Sequence, residues 1–391
     1  MSYPFTPEIL DAMPEELAEL FRALEDTLLV EICSRLKIAD QLNEVTVQDI
    51  RALRSHGIDL EDIKKAIADT SKIGEEELDK LLDDAVERNQ GFYDDIADIA
   101  KVTIPKRLVS EKDIDALKKQ TKDDFHNITQ SMGFLLDGGE LTPPAKAYQW
   151  ALDNAEMQVM SGGISYTEAI KNATKRLADS GIKTVSWESG HVDQVDVAVR
   201  RAIMTGINQL CQKYTEQSVD YLETDLVEVT AHGGARDTGE GPANHKAWQG
   251  KVYRWSEKPK ASKGEYPDFE DVTGYGTGPG LGGWNCRHHF YPFYEGVSER
   301  TYTDEQLANI DKEPFEYQGK TYTAYEATQQ QRRIERTIRK LKREHAAYKA
   351  AGLEEDAQDT EIRIRRLNAE YKAFSKAADL PEQIERMKVL Y

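Results

Sequence analysis

Two apolar seams close to the C-terminus constrain the fold more than any other feature of this chain. Ile334, Ile338, Leu341, His345 and Tyr348 recur at steps of four, three, four and three, and Ile364, Leu367, Tyr371 and Phe374 at three, four and three. That is the a/d spacing with which one helix packs along another. Ala351-Gly352-Leu353 separates the seams and suits a turn. The spacing therefore predicts an antiparallel helical hairpin over 325–378, with arms of about 20 residues and about 30 Å.

Helical spacing governs most of what precedes it. Thr6-Pro7-Glu8 supplies an N-cap, a proline at the first helical position and an acid in the first turn. Leu17, Leu20, Phe21, Leu24, Leu28 and Ile32 then mark a helix over roughly 14–37. Asp59 is placed to cap a short Leu60–Asp69 helix, Gly74 precedes another through Val86, and Ser110 with Asp113 opens a further one. In Ala145–Met160, Ala147, Trp150, Ala151, Asn154, Met157 and Val159 share one side. Ser165-Tyr166-Thr167-Glu168 is a capping box before Ala169–Ala178, which Gly181 ends. Thr184–Trp187 reads as a short strand, and Asp193–Tyr221 as a long helix with Val197, Ile203, Ile207, Leu210 and Cys211 on its apolar face. Leu226–Thr230 alternates like a strand, and 231–303 is rich in Gly, His, Trp and Tyr. The expected class is mainly α: helical N-terminal and middle regions, a small α+β module, and the C-terminal hairpin. Composition divides these at 1–109, 110–223, 224–303 and 304–391.

Charge is distributed as unevenly as structure. The chain carries a net charge of −19, yet residues 1–100 hold 10 basic against 25 acidic side chains and residues 330–372 hold 12 against 8. Such asymmetry suggests parts with different partners. Arg332, Arg333, Arg336, Arg339, Lys340, Lys342 and Arg343 sit on one arm of the hairpin beside a single acid, Glu335. With Ile334, Ile338 and Leu341 inward, those cations are expected on the outside, where they could neutralise phosphates of duplex DNA without reading sequence; a partner-facing or solvated helix is the alternative. No apolar run approaches the ~18–20 residues of a membrane helix, and the start, Met-Ser-Tyr-Pro-Phe-Thr-Pro-Glu, lacks the basic and apolar regions of a secretory signal. Cys33, Cys211 and Cys286 are too scattered for a disulfide framework, which points to a soluble chain made in a reducing compartment.

Chemistry, if present, belongs to the 231–303 segment. Its glycine run, Gly274 to Gly283, has no strand before it and no Gly-Lys-Ser/Thr or apolar helix after it, so it does not read as a phosphate loop. It suits a tight turn against a ring such as Trp284. His232, His245, Cys286 and His288 (or its neighbour His289) are ligand types zinc prefers. Cys286 and His288, two apart, face one way in an extended segment. The spacing fits no standard zinc ribbon, and a hydrogen-bonded polar cluster pinning loops is the competing reading. Cys286 with a nearby histidine, or His232 with His245 and Asp237, would be raw material for catalysis, but no nucleophile elbow or zinc-protease helix accompanies them. The expectation is no enzyme, and no cofactor unless zinc. His56 and His126 stand alone, and Cys211 reads as a small core residue.

These residues carry a family resemblance. Val195-Asp196-Val197-Ala198, His232-Gly233-Gly234-Ala235-Arg236, Asn244-His245-Lys246-Ala247-Trp248-Gln249-Gly250-Lys251-Val252-Tyr253 and Gly283-Trp284-Asn285-Cys286-Arg287-His288-His289 resemble tailed-phage minor capsid proteins of the minor capsid protein 2 type, related to the Mu F-like head morphogenesis proteins. The likeness spans nearly the whole chain. It implies a structural virion component acting at the portal vertex in head assembly and genome packaging or ejection. Its partners would be the portal and other head proteins, and it would assemble in the host cytoplasm. The motif core carried over is His232, Arg236, His245, Trp248, Gly250, Trp284, Asn285, Cys286, Arg287 and His288. More distant members end the motif in Asn-Cys-Arg-Cys; here His288 stands in the last place. Two alternatives stay open: an internal head protein that binds packaged DNA through the basic arm, and a zinc-dependent enzyme built on His232, His245 and Cys286.

Overall fold

A computed structural model describes residues 3–40, 61–136, 139–161, 164–186 and 189–390. The chain divides into two compact units, each gathered from three separated stretches. One comprises Met1–Glu16, Glu75–Phe125 and Arg200–Gln329; the other comprises Leu17–Gly74, His126–Val199 and Gln330–Tyr391. Helices make up most of the described residues and the sheets are small and antiparallel, so the architecture is mainly α with a small α+β part.

The cap predicted at Thr6 forms. Thr6 Oγ1 accepts from the Ile9 N–H at the start of α1, Pro7–Ala12. α2, Glu15–Asp40, buries Leu17, Phe21, Leu24, Leu28 and Ile32. The two short helices expected over 60–86 are instead one, α3, Glu61–Ala100. Gly74 lies buried within it; a helical glycine costs only about 1 kcal/mol against alanine and does not by itself end a helix. Asp59, the expected cap, lies outside the described residues, as do His56 and Trp187. α4, Glu111–Gln130, starts at Ser110, whose Oγ accepts from the Asp113 N–H at 3.2 Å.

β1 (Gly133–Leu135), β2 (Leu141–Thr142), β3 (Ile182–Val185) and β4 (Val192–Gln194) form an antiparallel sheet in the order β2-β1-β3-β4. α5 (Pro144–Met160) and α6 (Tyr166–Ser180) lie between β2 and β3 in the chain. The face α5 buries is Ala147, Tyr148, Ala151, Leu152 and Ala155; Met157, assigned to it from sequence, is 63% exposed. Ser165 Oγ accepts from the Glu168 N–H, and Gly181 follows the last turn of α6. α7, Val195–Tyr221, follows β4 directly, so the strand takes the first residues assigned to this helix; Val197 is exposed, whereas Ile203, Ile207, Leu210 and Cys211 are buried.

The α+β part holds β5 (Leu226–Val229), α8 (His245–Trp248), β6 (Val252–Arg254), α9 (Phe269–Thr273) and β7 (Phe290–Phe293). β5 is central, pairing Val227 with Tyr253 of β6 and Pro292 of β7. All four residues of β5 are buried. Val227 and Val229 pack with Trp248, Tyr253, Trp255, Phe269, Leu281, Cys286 and Phe290, each large side chain contributing about 1.5–3 kcal/mol by burial. The polar ends of the aromatics find partners: Trp248 Nε1 donates to the Pro242 carbonyl, Tyr253 Oη to that of Trp248, and Trp255 Nε1 to Glu270.

After α10 (Asp304–Ala308) and a hairpin of β8 (Phe315–Tyr317) with β9 (Lys320–Tyr322), α11 (Ala324–Ala351) and α12 (Glu354–Ala377) form the predicted antiparallel pair. Gln331 donates to Ser375 at 3.0 Å and Tyr371 to Glu335 at 2.9 Å, and Arg363 lies 3.3 Å from Glu344. Ile334, Ile338, Leu341, Tyr348, Ile364, Tyr371 and Phe374 are buried. Gly352 turns the chain at φ +81°, a conformation costly for any residue with a Cβ. Among the described residues no helix is long and apolar enough to cross a membrane.

Candidate functional site

The strand pairing assembles the histidine cluster. Just past β5, the Thr230 N–H donates to the His289 carbonyl at 2.8 Å and the His289 N–H to Thr230 Oγ1 at 2.9 Å. This brings His232 beside His288, with ring centroids 4.4 Å apart. The two-residue period ahead of β7 turns Cys286, like Phe290, toward the core. His245 enters as the first residue of α8, and Trp248, one turn later, packs against both His245 and His288.

Hydrogen bonds fix the imidazole tautomers. His245 Nε2 lies 2.8 Å from the Pro279 carbonyl and His288 Nε2 lies 2.9 Å from Gln249 Oε1. Both partners are oxygens that only accept, and the Pro279 carbonyl lies closer to His245 Nε2 than the Arg236 guanidinium at 3.4 Å, so each Nε2 carries the proton and each Nδ1 keeps a lone pair. Those two Nδ1 atoms face Cys286 Sγ, at 3.8 and 3.7 Å. The three donor atoms lie within 4.8 Å of one another, and all three residues are buried. His232, the fourth ligand expected from sequence, does not join them. Its Nδ1 donates to the Gly233 carbonyl at 2.9 Å, and the ring stacks on His288.

Burial sets the charge of the cluster. It pulls His245 down to about 4, and burial followed by the charge of Arg287 does the same to His232. Burial holds His288 well below the usual imidazole range, lowers His289 to about 3, and pushes the Cys286 thiol up. A buried thiol raised in this way is a poor nucleophile. Asp237 pairs with Lys246 at 3.3 Å.

The other motif residues build the walls. Arg236 donates to the carbonyls of Pro279 and Trp284 at 3.2 and 3.0 Å and lies 3.4 Å from His245 Nε2, tying the glycine run to the start of α8. Gly250 sits at φ +70°, where a Cβ would collide with Leu307. Trp284 is 63% exposed; a Cβ on Gly278 would lie 2.6 Å from its ring, so the glycine permits the close approach expected from sequence. Asn285 adopts φ +53°, and Arg287 lies 3.2 Å from His232 Nδ1 and 3.8 Å from Asp11. Two residues not singled out from sequence support the site. Gln249 Oε1 also accepts the His232 N–H, and Asn208 on α7 donates to the Cys286 carbonyl, both at 3.0 Å. Gln249 lies inside the motif string and could have been drawn from it, whereas Asn208 carries no local signal.

The basic arm differs from expectation. Arg333 and Arg336 are exposed and Arg332, Lys340 and Lys342 half-buried, but Arg339 and Arg343 are buried. Arg339 reaches Glu25 at 2.9 Å and Asp26 at 3.2 Å, and Arg343 reaches Glu25 at 2.5 Å. Lys340 pairs with Asp179 at 3.1 Å. A seam of Ile334, Ile338 and Leu341 does not send every cation to water, because carboxylates on α2 draw two of them inward.

The model of the family described as phage minor capsid protein 2 matches residues 5–376. A structural protein of Lactococcus phage LL-H is 27% identical over 311 residues, covering 77% of this chain and 73% of its own length. No solved structure matches the chain.

Proposed function

The chain belongs to the phage minor capsid protein 2 family, and from that premise we propose that it acts at the portal vertex in head assembly and genome packaging or ejection. The observation that carries this reading is the reach of the family match, which includes residues of both compact units. The phage relative is named a structural protein. Residence in the virion and assembly in the host cytoplasm follow from the same reading. Trp284 gives the proposal a contact point: an exposed aromatic, held from below by Gly278 and at its carbonyl by Arg236, is the side chain best suited to anchor a protein interface.

Co-sedimentation of the full chain with portal assemblies tests it. The wild type should pellet with the portal, and Trp284→Ala should pellet several-fold less while melting at an unchanged temperature. Wild-type protein that stays in the supernatant over excess portal refutes docking. Heads assembled without the protein yet filled with a full DNA complement refute the packaging role.

A further inference from the structure

We propose that His245, Cys286 and His288 bind one zinc ion, through Nδ1 of each imidazole and the Cys286 sulfur. Three observations meet on this assignment. The first is distance. In a tetrahedral site with bonds of about 2.3 Å to sulfur and about 2.0–2.1 Å to nitrogen, ligand sulfur and nitrogen lie about 3.6 Å apart. The two sulfur–nitrogen separations here are 3.8 and 3.7 Å, so the sulfur edges of the tetrahedron are nearly in place. All three atoms fall within 4.8 Å, and modest ring rotation closes the nitrogen–nitrogen edge.

The second is proton arithmetic. Two imidazole lone pairs converge on one sulfur, and a thiol brings a single proton to them. That proton can satisfy one Nδ1 or the His288 carbonyl, 3.8 Å from the sulfur, but never both nitrogens, so at least one buried acceptor stays unmatched, at a cost of about 1–3 kcal/mol. A cation satisfies all three at once.

The third is the outer shell. Each ring donates its remote N–H to a carbonyl oxygen, His245 to Pro279 and His288 to Gln249. This is the arrangement that orients metal-ligating histidines and raises their basicity. One sulfur with two imidazoles selects zinc over magnesium or calcium, which prefer oxygen. On binding, the Cys286 S–H bond breaks, its electron pair forms the zinc–sulfur bond and the proton leaves to solvent. The ion would cross-link the start of α8 to the segment entering β7, two stretches otherwise joined through loops.

The test uses the full chain, purified without a histidine tag or chelator, and measures zinc by mass spectrometry. About one zinc per chain is expected, falling at least tenfold in Cys286→Ser and His288→Gln. Chelation should lower the melting temperature by several degrees and zinc should restore it. Should those variants fail to fold, cobalt titrated into the zinc-stripped wild type decides the matter. A sulfur-to-cobalt charge-transfer band that persists in Cys33→Ser and Cys211→Ser supports the site. Cobalt bound without that band, full zinc retained by Cys286→Ser, or a wild type that neither holds zinc nor melts differently with it overturns the proposal.

Discussion

Replacing Glu25 with alanine should destabilise the unit containing α2 and the hairpin more than any surface substitution in the same helices. Glu25 is 3% exposed. Its carboxylate accepts from Arg343 Nη1 at 2.5 Å, from Arg339 Nη2 at 2.9 Å and from the Ile182 N–H at 2.7 Å. Burial alone would push its carboxyl up, but the charges of Arg343 and Arg339 hold it below the usual carboxylate range. Removal leaves two guanidiniums, each 7% exposed, of which Arg339 keeps Asp26 and Arg343 loses its Glu25 partner, together with an unpaired amide at the head of β3. Breaking a buried ion pair from one side costs about 3–5 kcal/mol, chiefly because the partner charge stays buried. At about 2–4 °C per kcal/mol for a unit of this size, the melting temperature should fall by about 6–20 °C. Circular dichroism of the full chain in heat and urea reads it. Adding Arg343→Met should recover part of the loss, since it removes an orphaned charge. A Glu25→Ala protein within about 1 kcal/mol of wild type, or a second substitution that adds its full separate cost, refutes the reasoning.

The same cluster predicts a pH effect. Burial, aided by the charge of Glu25, pushes Asp26 up to about 6 from 3.8, so the folded state binds this proton more tightly than the unfolded one. Stability present at low pH is then lost as pH rises from about 4 through 6, by up to about 3 kcal/mol. The stability of wild type relative to Asp26→Asn should fall over that range, and a constant difference would contradict it. Gly250→Ala should cost about 2–4 kcal/mol, from positive φ and overpacking against Leu307, measured by urea unfolding; a loss under about 0.5 kcal/mol would mean the loop relaxes freely. For duplex DNA, seven phosphate-contacting cations would give a log–log salt slope near −6, but with Arg339 and Arg343 buried and Lys340 paired the slope should be no steeper than about −4. A steeper slope would show that the ion pairs open on DNA.

What the sequence disclosed was local. A cap and its donor are three residues apart, as in Thr6 with Ile9 and Ser165 with Glu168, and a heptad seam repeats within one turn; both leave a pattern that needs no knowledge of the rest of the chain. The hairpin, its turn at Gly352 and the caps were legible for that reason. Gly74 misled because a breaker signal is a propensity of about 1 kcal/mol, and a helix of 40 residues can absorb it. The cations misled for a different reason. Arg339 and Arg343 sit four residues apart on a helix, a spacing equally consistent with a solvated face and with a buried one. What decides between them is a carboxylate 318 positions from Arg343 in the chain, and nothing in 332–343 announces it. The histidine cluster lies between these cases. Residue types and the Cys286/His288 period placed two ligands on one side, and the motif supplied His245. His232 was indistinguishable from them in sequence, because what excludes it is where its ring nitrogens lie, outside the group that the other three ligand atoms form within 4.8 Å, a matter of ring orientation. Composition can therefore nominate ligands, but only the second hydrogen bond of each imidazole tells which lone pair is left to face a metal. In this chain two rings of the three considered present one to the Cys286 sulfur.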